Sequence, residues 1–214
     1  MTGKTAATGQ DVAPEFQDSS HSSMLFATAF AGLGVDPSLL VPWEARAVEV
    51  DAKRMQAEQS VGKMQMLWSK DKYMSHLAPA SIANLGRYFD FASVASNRDV
   101  IRQDEYGNFL LVLLAGSIAV DRVQPWGERL RLAETEPGEV LGEMSLLDSG
   151  IRFSTCTTMS DCDIAVLSAQ GMDEMMVADP KLAASLITLL ARKLSIRLRV
   201  VSARLSDTKP GGTK

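Results

Sequence analysis

Apolar residues recur at helical spacing at both ends of the chain and lie in short, strand-like stretches in its middle. Between residue 24 and about residue 69 they return every three or four positions, which predicts a shorter helix followed by one long helix. Residues 1–23 are small and polar and have no period, so they cannot bury enough surface to offset the entropy lost on ordering. We therefore expect residues 1–23 to form a disordered tail.

The middle of the chain predicts a sheet. A short amphipathic helix after Pro79 is followed by short apolar stretches that are separated by turn signals. The turn signals are Asn97, Gly107-Asn108, Gly116, Pro125-Trp126-Gly127 and Pro137-Gly138. Two further strand-like stretches follow at 153–160 and 163–168. Short strands with turns at such intervals indicate antiparallel strands that close into a barrel or a roll.

The end of the chain carries the clearest helical pattern, from Asp179-Pro180 to about Leu205. Pro180 suits the first turn of a helix, and Asp179 is a candidate N-cap. The apolar stripe consists of Leu182, Leu186, Leu190, Leu194, Leu198, Val201 and Leu205. Because this stripe is longer than a helix packed on one roll needs, we expect part of it to pair with a partner helix in a homodimer. Residues 206–214 are expected to be a second disordered tail.

Composition narrows the class of protein. With 214 residues and 46% apolar content, the chain can bury one core plus an appendage. Its net charge of −4 gives no overall reason to bind nucleic acid or an anionic membrane. The two cysteines, Cys156 and Cys162, are too few for a disulfide framework or a four-ligand metal site, which favours a reduced, cytoplasmic protein. The apolar run at 24–35 is too short to span a bilayer, so neither a signal peptide nor an anchor is predicted.

One segment, PGEVLGEMSLLDSGIRFSTC at 137–156, has the residues of an anion site. Gly142 lacks a Cβ and lets the backbone approach a ligand closely. A short helical turn after it would direct free N–H groups, including those of Met144 and Ser145, at the same point. Arg152 would return beside them and add a charge-assisted contact.

Further donors and an acceptor complete the predicted site. Ser154 and the N–H groups around Phe153 are candidate donors to the same anion. Glu143 would repel a phosphate, but its carboxylate accepts well from a ribose hydroxyl. A phosphate next to a sugar hydroxyl indicates a nucleotide, and one arginine suits a single phosphate. No glycine-lysine loop for a polyphosphate is present.

The segment resembles the phosphate-binding cassette of the cyclic-nucleotide-binding domain family. That cassette consists of Gly-Glu, a short apolar helix, a turn, and then arginine followed by small residues. Gly142, Glu143, Leu146 and Arg152 stand at the matching positions. The resemblance extends from about residue 75 to residue 205, because the leading helix, the strand group and the long closing helix all correspond.

The resemblance implies an α+β fold: a jelly-roll-like antiparallel β-roll flanked by helices over 75–205, with a helical N-terminal extension over 24–74. It implies that cAMP or cGMP is held with its phosphate on Arg152 and the cassette amides. The ribose 2′-hydroxyl would lie on Glu143 and the base near the closing helix. The extension has no counterpart in the minimal family domain; packing on the roll, joining the dimer interface and recruiting a protein effector all remain open for it.

Two positions depart from the family pattern. Ile151 replaces the usual proline before the arginine, and Phe153 stands where the family has Ala, Ser or Thr. The missing threonine removes a feature associated with cGMP, so cAMP is favoured over cGMP, with an unusual cyclic nucleotide or no ligand as alternatives. On the ligand-free alternative, the chain is a protein-interaction scaffold in which Arg152 only pairs with Glu143 or Asp148 to hold the roll shut.

Other activities have weaker support in the sequence. The family's best-known bacterial members carry a helix-turn-helix domain after the closing helix, whereas only SDTKPGGTK follows Leu205 here, so we do not expect direct DNA binding. His21 and His76 are not accompanied by a nucleophile motif or by metal-ligand spacing. We therefore expect a non-catalytic regulatory module without a cofactor or metal, whose basic face at 192–204 is solvated.

Overall fold

Two antiparallel sheets form the centre of the structure, a computed structural model that describes residues 25–207. The strands are β1 (Lys53–Arg54), β2 (Asp90–Val94), β3 (Asp99–Ile101), β4 (Phe109–Ala115), β5 (Ile118–Val123), β6 (Arg129–Thr135), β7 (Val140–Leu141), β8 (Thr155–Thr158) and β9 (Cys162–Ser168). One sheet has the order β1-β2-β9-β4-β7 and the other the order β3-β8-β5-β6. All the strand pairs in the two sheets are antiparallel, so the predicted α+β fold with an antiparallel sheet is confirmed.

Helices lie before, between and after the strands. They are α1 (Ala29–Gly32), α2 (Trp43–Glu49), α3 (Ala57–Lys70), α4 (Pro79–Leu85), α5 (Glu143–Asp148), α6 (Ala169–Ala178) and α7 (Pro180–Asp207), with 3₁₀ turns at Pro37–Leu39 and Met74–His76. The long helix predicted before residue 69 is α3. None of the helices in the part of the chain that the structure describes is long and apolar enough to cross a membrane.

The N-terminal extension differs from the prediction. The single short helix expected before α3 is divided into α1, a 3₁₀ turn and α2, because Gly34 takes a left-handed φ of 75° and Pro37 and Pro42 begin new turns. The extension also contributes strand β1, which pairs with β2. Strand β1 consists of two charged residues, so the sequence has no alternation of apolar and polar positions there that could predict a strand.

Strand β4 lies between two hydrophobic clusters. Leu110, Val112 and Leu114 pack on helices α3, α4, α6 and α7, whereas Phe109 and Leu111 point into the roll. Since both faces of β4 are buried, its sequence is a continuous apolar run and not an alternation. We call helices α3, α4, α6 and α7 the helical cover. Strand β4 packs on this cover with one face and contributes to the core of the roll with the other.

Helix α7 has a buried half and an exposed half. Asp179 accepts a hydrogen bond from the Leu182 N–H at 3.1 Å, which confirms the predicted cap. Leu186 and Leu190 are buried in the helical cover, whereas Leu198 is 67% exposed. The helix continues to Asp207, two residues beyond the predicted end. The predicted tail at 1–23 and the remainder of the predicted tail at 206–214 lie outside the described residues.

Candidate functional site

The predicted cassette begins where strand β7 ends. Gly142 has a φ of 76°, and the predicted short helix follows it as α5. A Cβ on Gly142 would lie 2.6 Å from Arg152 Nη1 and 2.9 Å from the Ile101 side chain. Glycine is therefore required here for two independent reasons, the left-handed backbone and the closeness of the arginine.

Arg152 is buried in the cassette, with only 3% of its surface exposed. Its Nη1 donates to the Gly142 carbonyl at 2.8 Å and its Nη2 to the Phe109 carbonyl at 2.7 Å. The guanidinium also lies over the Phe109 ring, 4.5 Å from the centroid. Burial lowers the pKa of Arg152 to about 10, far enough above neutral pH for the side chain to remain charged.

The Arg152 guanidinium has no carboxylate in direct contact among the described residues. Within residues 25–207, none of the ion pairs involves Arg152. Asp148 accepts instead from the Gly150 N–H at 2.8 Å, and Glu143 pairs with another arginine. The pairing of Arg152 with Glu143 or Asp148, considered as the structural alternative, is therefore absent.

A second glycine makes room for the same guanidinium. A Cβ on Gly107 would lie 2.5 Å from Arg152 Nε, closer than two such atoms can approach. The sequence analysis identified Gly107 only as a turn signal. Its role depends on a residue 45 positions away in the chain (152 − 107), so no local pattern could have revealed it.

Glu143 joins the cassette to the closing helix. Its side chain is only 8% exposed, and its Oε1 accepts from Arg197 Nη1 of helix α7 at 2.6 Å. Burial raises the pKa of Glu143 above its ordinary value of 4.5, and the half-exposed Arg197 opposes this only in part. The prediction that the basic face of α7 is only solvated is thus wrong for Arg197, and also for Lys193, which pairs with Asp71 at 2.8 Å.

The other predicted site residues lie along the same short segment. Ser145 is buried and Ser154 is partly buried, whereas Met144 is 45% exposed. Phe153 is half-exposed, and the Arg122 guanidinium lies 4.0 Å from its ring centroid. Arg122 also donates a short hydrogen bond to the Phe153 carbonyl. Arg122 is a neighbour of the cassette that the sequence analysis did not identify.

Comparison with known proteins gives this segment a family. The sequence profile described as cyclic nucleotide-binding domain matches residues 92–179, which contain the whole cassette. Residues 92–179 belong to this family. The predicted relationship is therefore confirmed. Helices α1 to α4, strand β1 and helix α7 lie outside the matched span of this cyclic nucleotide-binding domain.

Individual relatives agree with the profile. The chain is 30% identical over 118 residues to the cyclic AMP receptor protein of Thermus thermophilus, which is 55% of each protein. It is 26% identical over 129 residues to the CRP-like cAMP-activated global transcriptional regulator of Mycobacterium tuberculosis, covering 60% of this chain and 56% of that regulator. The alignments thus cover just over half the length of these relatives.

A solved structure supports the fold of the cyclic nucleotide-binding domain. The cyclic nucleotide-binding domain from Methylobacillus flagellatus superposes with a TM-score of 0.67 and is 22% identical in sequence. The match covers 77% of this chain and 93% of that structure. At this identity the likeness shows a common fold.

Proposed function

We propose that this chain is a non-catalytic regulatory module that binds a cyclic mononucleotide through Gly142, Glu143 and Arg152, with cAMP as the favoured ligand. The observation that carries this proposal is the charge of Arg152, which is buried without a carboxylate partner among the described residues. Met144, Ser145, Phe153 and Ser154 would supply the remaining contacts. We propose that the functional domain spans 75–205 and follows the extension at 24–74.

A buried arginine without a counter-ion favours the binding of an anion. Removing a charged group from water costs several kcal/mol, about as much as an opposite charge in contact with it can restore. Two carbonyl hydrogen bonds satisfy only two of the five N–H groups of Arg152. A cyclic phosphodiester has one negative charge and oxygens that accept from a guanidinium, so it matches the one arginine. It would lie next to Gly142, where helix α5 begins.

The pair between Glu143 and Arg197 provides a route from the ligand to helix α7. If a ribose hydroxyl donates to the Glu143 carboxylate, it competes with Arg197 for the same oxygens. A ligand that changes this contact has different affinities for two conformations of the protein, which differ in the position of α7. Binding therefore shifts the populations of these conformations. The proposed output is a change in dimer or effector contacts made by the flanking helices.

The exposed half of α7 is the proposed dimer contact. Leu198 is 67% exposed and Val201 is 50% exposed, and they continue the stripe that is buried at Leu186. A second copy of the same helix would cover them as in a coiled coil. Leu198→Glu with Val201→Glu should give a folded monomer by light scattering, while Val48→Glu, at an 84% exposed position far along the chain, should leave the assembly unchanged. An unchanged dimer in the double variant would contradict this interface.

Two further observations agree with the proposal. The names of the Thermus and Mycobacterium relatives refer to cAMP, which supports the preference for that ligand. Cys156 and Cys162 are buried free thiols, as expected in a reducing cytoplasm. The proposal includes no resident cofactor, and direct DNA binding is not part of it.

The second candidate function is a ligand-free interaction scaffold. It is favoured by Phe153, whose half-exposed ring stacks with Arg122 where the family has a small residue. It is also favoured by the two carbonyl bonds that Arg152 already makes. In this case the arginine is a structural connection, and the site never opens to a phosphate.

Calorimetric titration with cAMP, cGMP and the pyrimidine cyclic nucleotides decides between the two functions. We expect saturable binding by the unmodified protein and a loss of at least about 100-fold in Arg152→Glu, because the change replaces an attraction by a repulsion. Arg129→Glu makes the same charge reversal at an exposed position of β6 and should bind normally. Circular dichroism checks that Arg152→Glu is folded. Arg152→Met removes the charge by a smaller change and serves where Arg152→Glu misfolds.

The titration can also favour the scaffold. If the well-folded protein gives no heat signal with any of the nucleotides, the result would support the ligand-free function. Equal affinity in Arg152→Glu and the unmodified protein would show that nucleotide binds elsewhere and would contradict the proposed site.

A further inference from the structure

Helix α2 contacts the group on which the cassette arginine rests. Trp43 is buried, and its ring meets the Phe109 ring edge-on at a centroid distance of 5.6 Å. The Arg152 guanidinium also lies over the Phe109 ring, and the Phe109 carbonyl accepts from Arg152 Nη2. Trp43 therefore packs on the residue whose ring and carbonyl both contact the Arg152 side chain.

The same helix holds the main chain beside Arg152. Arg46 is 1% exposed and makes a short ion pair with Glu105, in addition to its bond with Glu49. The carbonyl of Glu105 accepts from the Arg152 N–H at 2.8 Å, and the Arg152 carbonyl accepts from the Asp104 N–H at 2.9 Å. Through Glu105, Arg46 thus anchors the segment that carries the backbone of Arg152.

A third connection precedes α2. The Val41 N–H donates to the Tyr106 carbonyl at 2.8 Å, and Leu40 forms a bridge with Tyr106. Tyr106 in turn bridges to Ile151, the residue before the arginine. Residues 40–41, 105–106 and 151–152 therefore lie side by side, and the first of these segments leads into α2.

We infer that Leu40, Val41, Trp43 and Arg46 form a buttress that positions Arg152 for the nucleotide phosphate from outside the matched domain. Trp43 and Arg46 are positioning residues, since they contact Phe109 and Glu105 and act on the arginine through them. The consequence for ligand affinity rests on the proposed function, whereas the positioning of Arg152 does not. Binding groups need support that holds them within a fraction of an ångström, and here α2 supports both the main chain and the side chain.

The first part of the test needs no nucleotide. In NMR spectra, the Arg152 side-chain signals should be shifted by the Phe109 ring, and the Arg152 and Asp104 amides should exchange slowly. Trp43→Leu should move the side-chain signals toward their random-coil positions, and Arg46→Met should speed exchange of the two amides about 10-fold. Trp43→Phe keeps an aromatic edge and should restore the signals.

Matched controls lie on the same helix. Glu44 and Val48 are exposed, and Glu44→Gln and Val48→Ala should leave the signals and the exchange rates unchanged. Where Trp43→Leu does not fold, Glu105→Gln gives a milder break, because Glu105 is partly exposed and the change weakens only its link to Arg46.

Titration with cAMP forms the second part. Trp43→Leu and Arg46→Met should weaken binding about 10-fold, and the two controls by less than about twofold. Unmoved Arg152 signals and unmoved exchange in folded Trp43→Leu and Arg46→Met would overturn the inference, as would equal losses of affinity in the controls. If the unmodified protein binds no nucleotide, the proposed function fails, and the first part alone decides whether α2 positions Arg152.

Discussion

The two buried arginines of the described chain differ in how their charge is balanced. Arg46 in helix α2 and Arg152 in the cassette are 1% and 3% exposed. Arg46 bonds to the carboxylates of Glu49 and Glu105, whereas Arg152 bonds only to main-chain carbonyls. Equal burial with unequal compensation is the contrast that the proposed function explains, with a structural role for Arg46 and an anion-binding role for Arg152.

The difference originates in the residues around each arginine. Glu49 stands three positions after Arg46 and so lies on the same side of helix α2. Asp148 is the acidic residue closest to Arg152 in the sequence of the cassette, but its carboxylate accepts a hydrogen bond from the Gly150 N–H. Gly107 and Gly142 then leave space that the guanidinium occupies. Within residues 25–207, the cassette thus buries Arg152 without an ion-pair partner.

Replacing each arginine by methionine should separate the two roles by the largest margin. Arg46→Met should lower the free energy of unfolding by about 2 kcal/mol, because it removes the buried cation that pairs with Glu49 and Glu105. Arg102 still pairs with both carboxylates, and their partial exposure also limits the loss. Arg152→Met should change it by less than about 1 kcal/mol, since the lost hydrogen bonds are offset by relief from burying an unpaired charge. Urea unfolding followed by circular dichroism measures both, and equal losses would remove the distinction.

The pH dependence of stability tests whether burial of the charged Glu143 carboxylate destabilises the fold. Burial raises its pKa in the folded protein, so protonation stabilises the fold, and this contribution is lost as the pH rises through the raised pKa. Glu143→Gln removes the titration, and its stability relative to the unmodified protein should increase as the pH rises through that range. Unfolding curves across the acid range measure the difference, with exposed Glu134→Gln as a control. A difference that shrinks with rising pH would show that attraction to Arg197 outweighs burial.

The smallest effect is expected at Phe153, next to Arg152. Phe153→Ser removes the stacking of Arg122, which is worth about 0.5–1 kcal/mol at an exposed position, and should reduce stability by no more than that. It also supplies a hydroxyl near the predicted phosphate, so cAMP affinity should rise about threefold, the equivalent of roughly one weak hydrogen bond. Titration of the variant beside Arg122→Gln separates the hydroxyl from the lost stacking. Weaker binding of Phe153→Ser would indicate that the ring itself contacts the ligand.

The regularly patterned elements of the fold were predictable. Turn residues such as Gly116 mark the ends of strands, and the spacing of Leu182, Leu186 and Leu190 marks the buried face of α7. Strand β1 was missed because a strand of two charged residues owes its pairing to β2 alone. The division of the extension was missed because its helices are too short to repeat a pattern.

By itself, the sequence determined the local form of the cassette. A glycine that takes a left-handed backbone, a six-residue helix and a turn are decided by neighbouring residues, so Gly142, Glu143 and Arg152 could be identified by their spacing. Only the tertiary structure decided what these side chains contact. The Phe109 carbonyl is 43 positions from Arg152, and Arg197 is 54 positions from Glu143. Such partners meet through the packing of strands and helices around a common core, which no local pattern encodes.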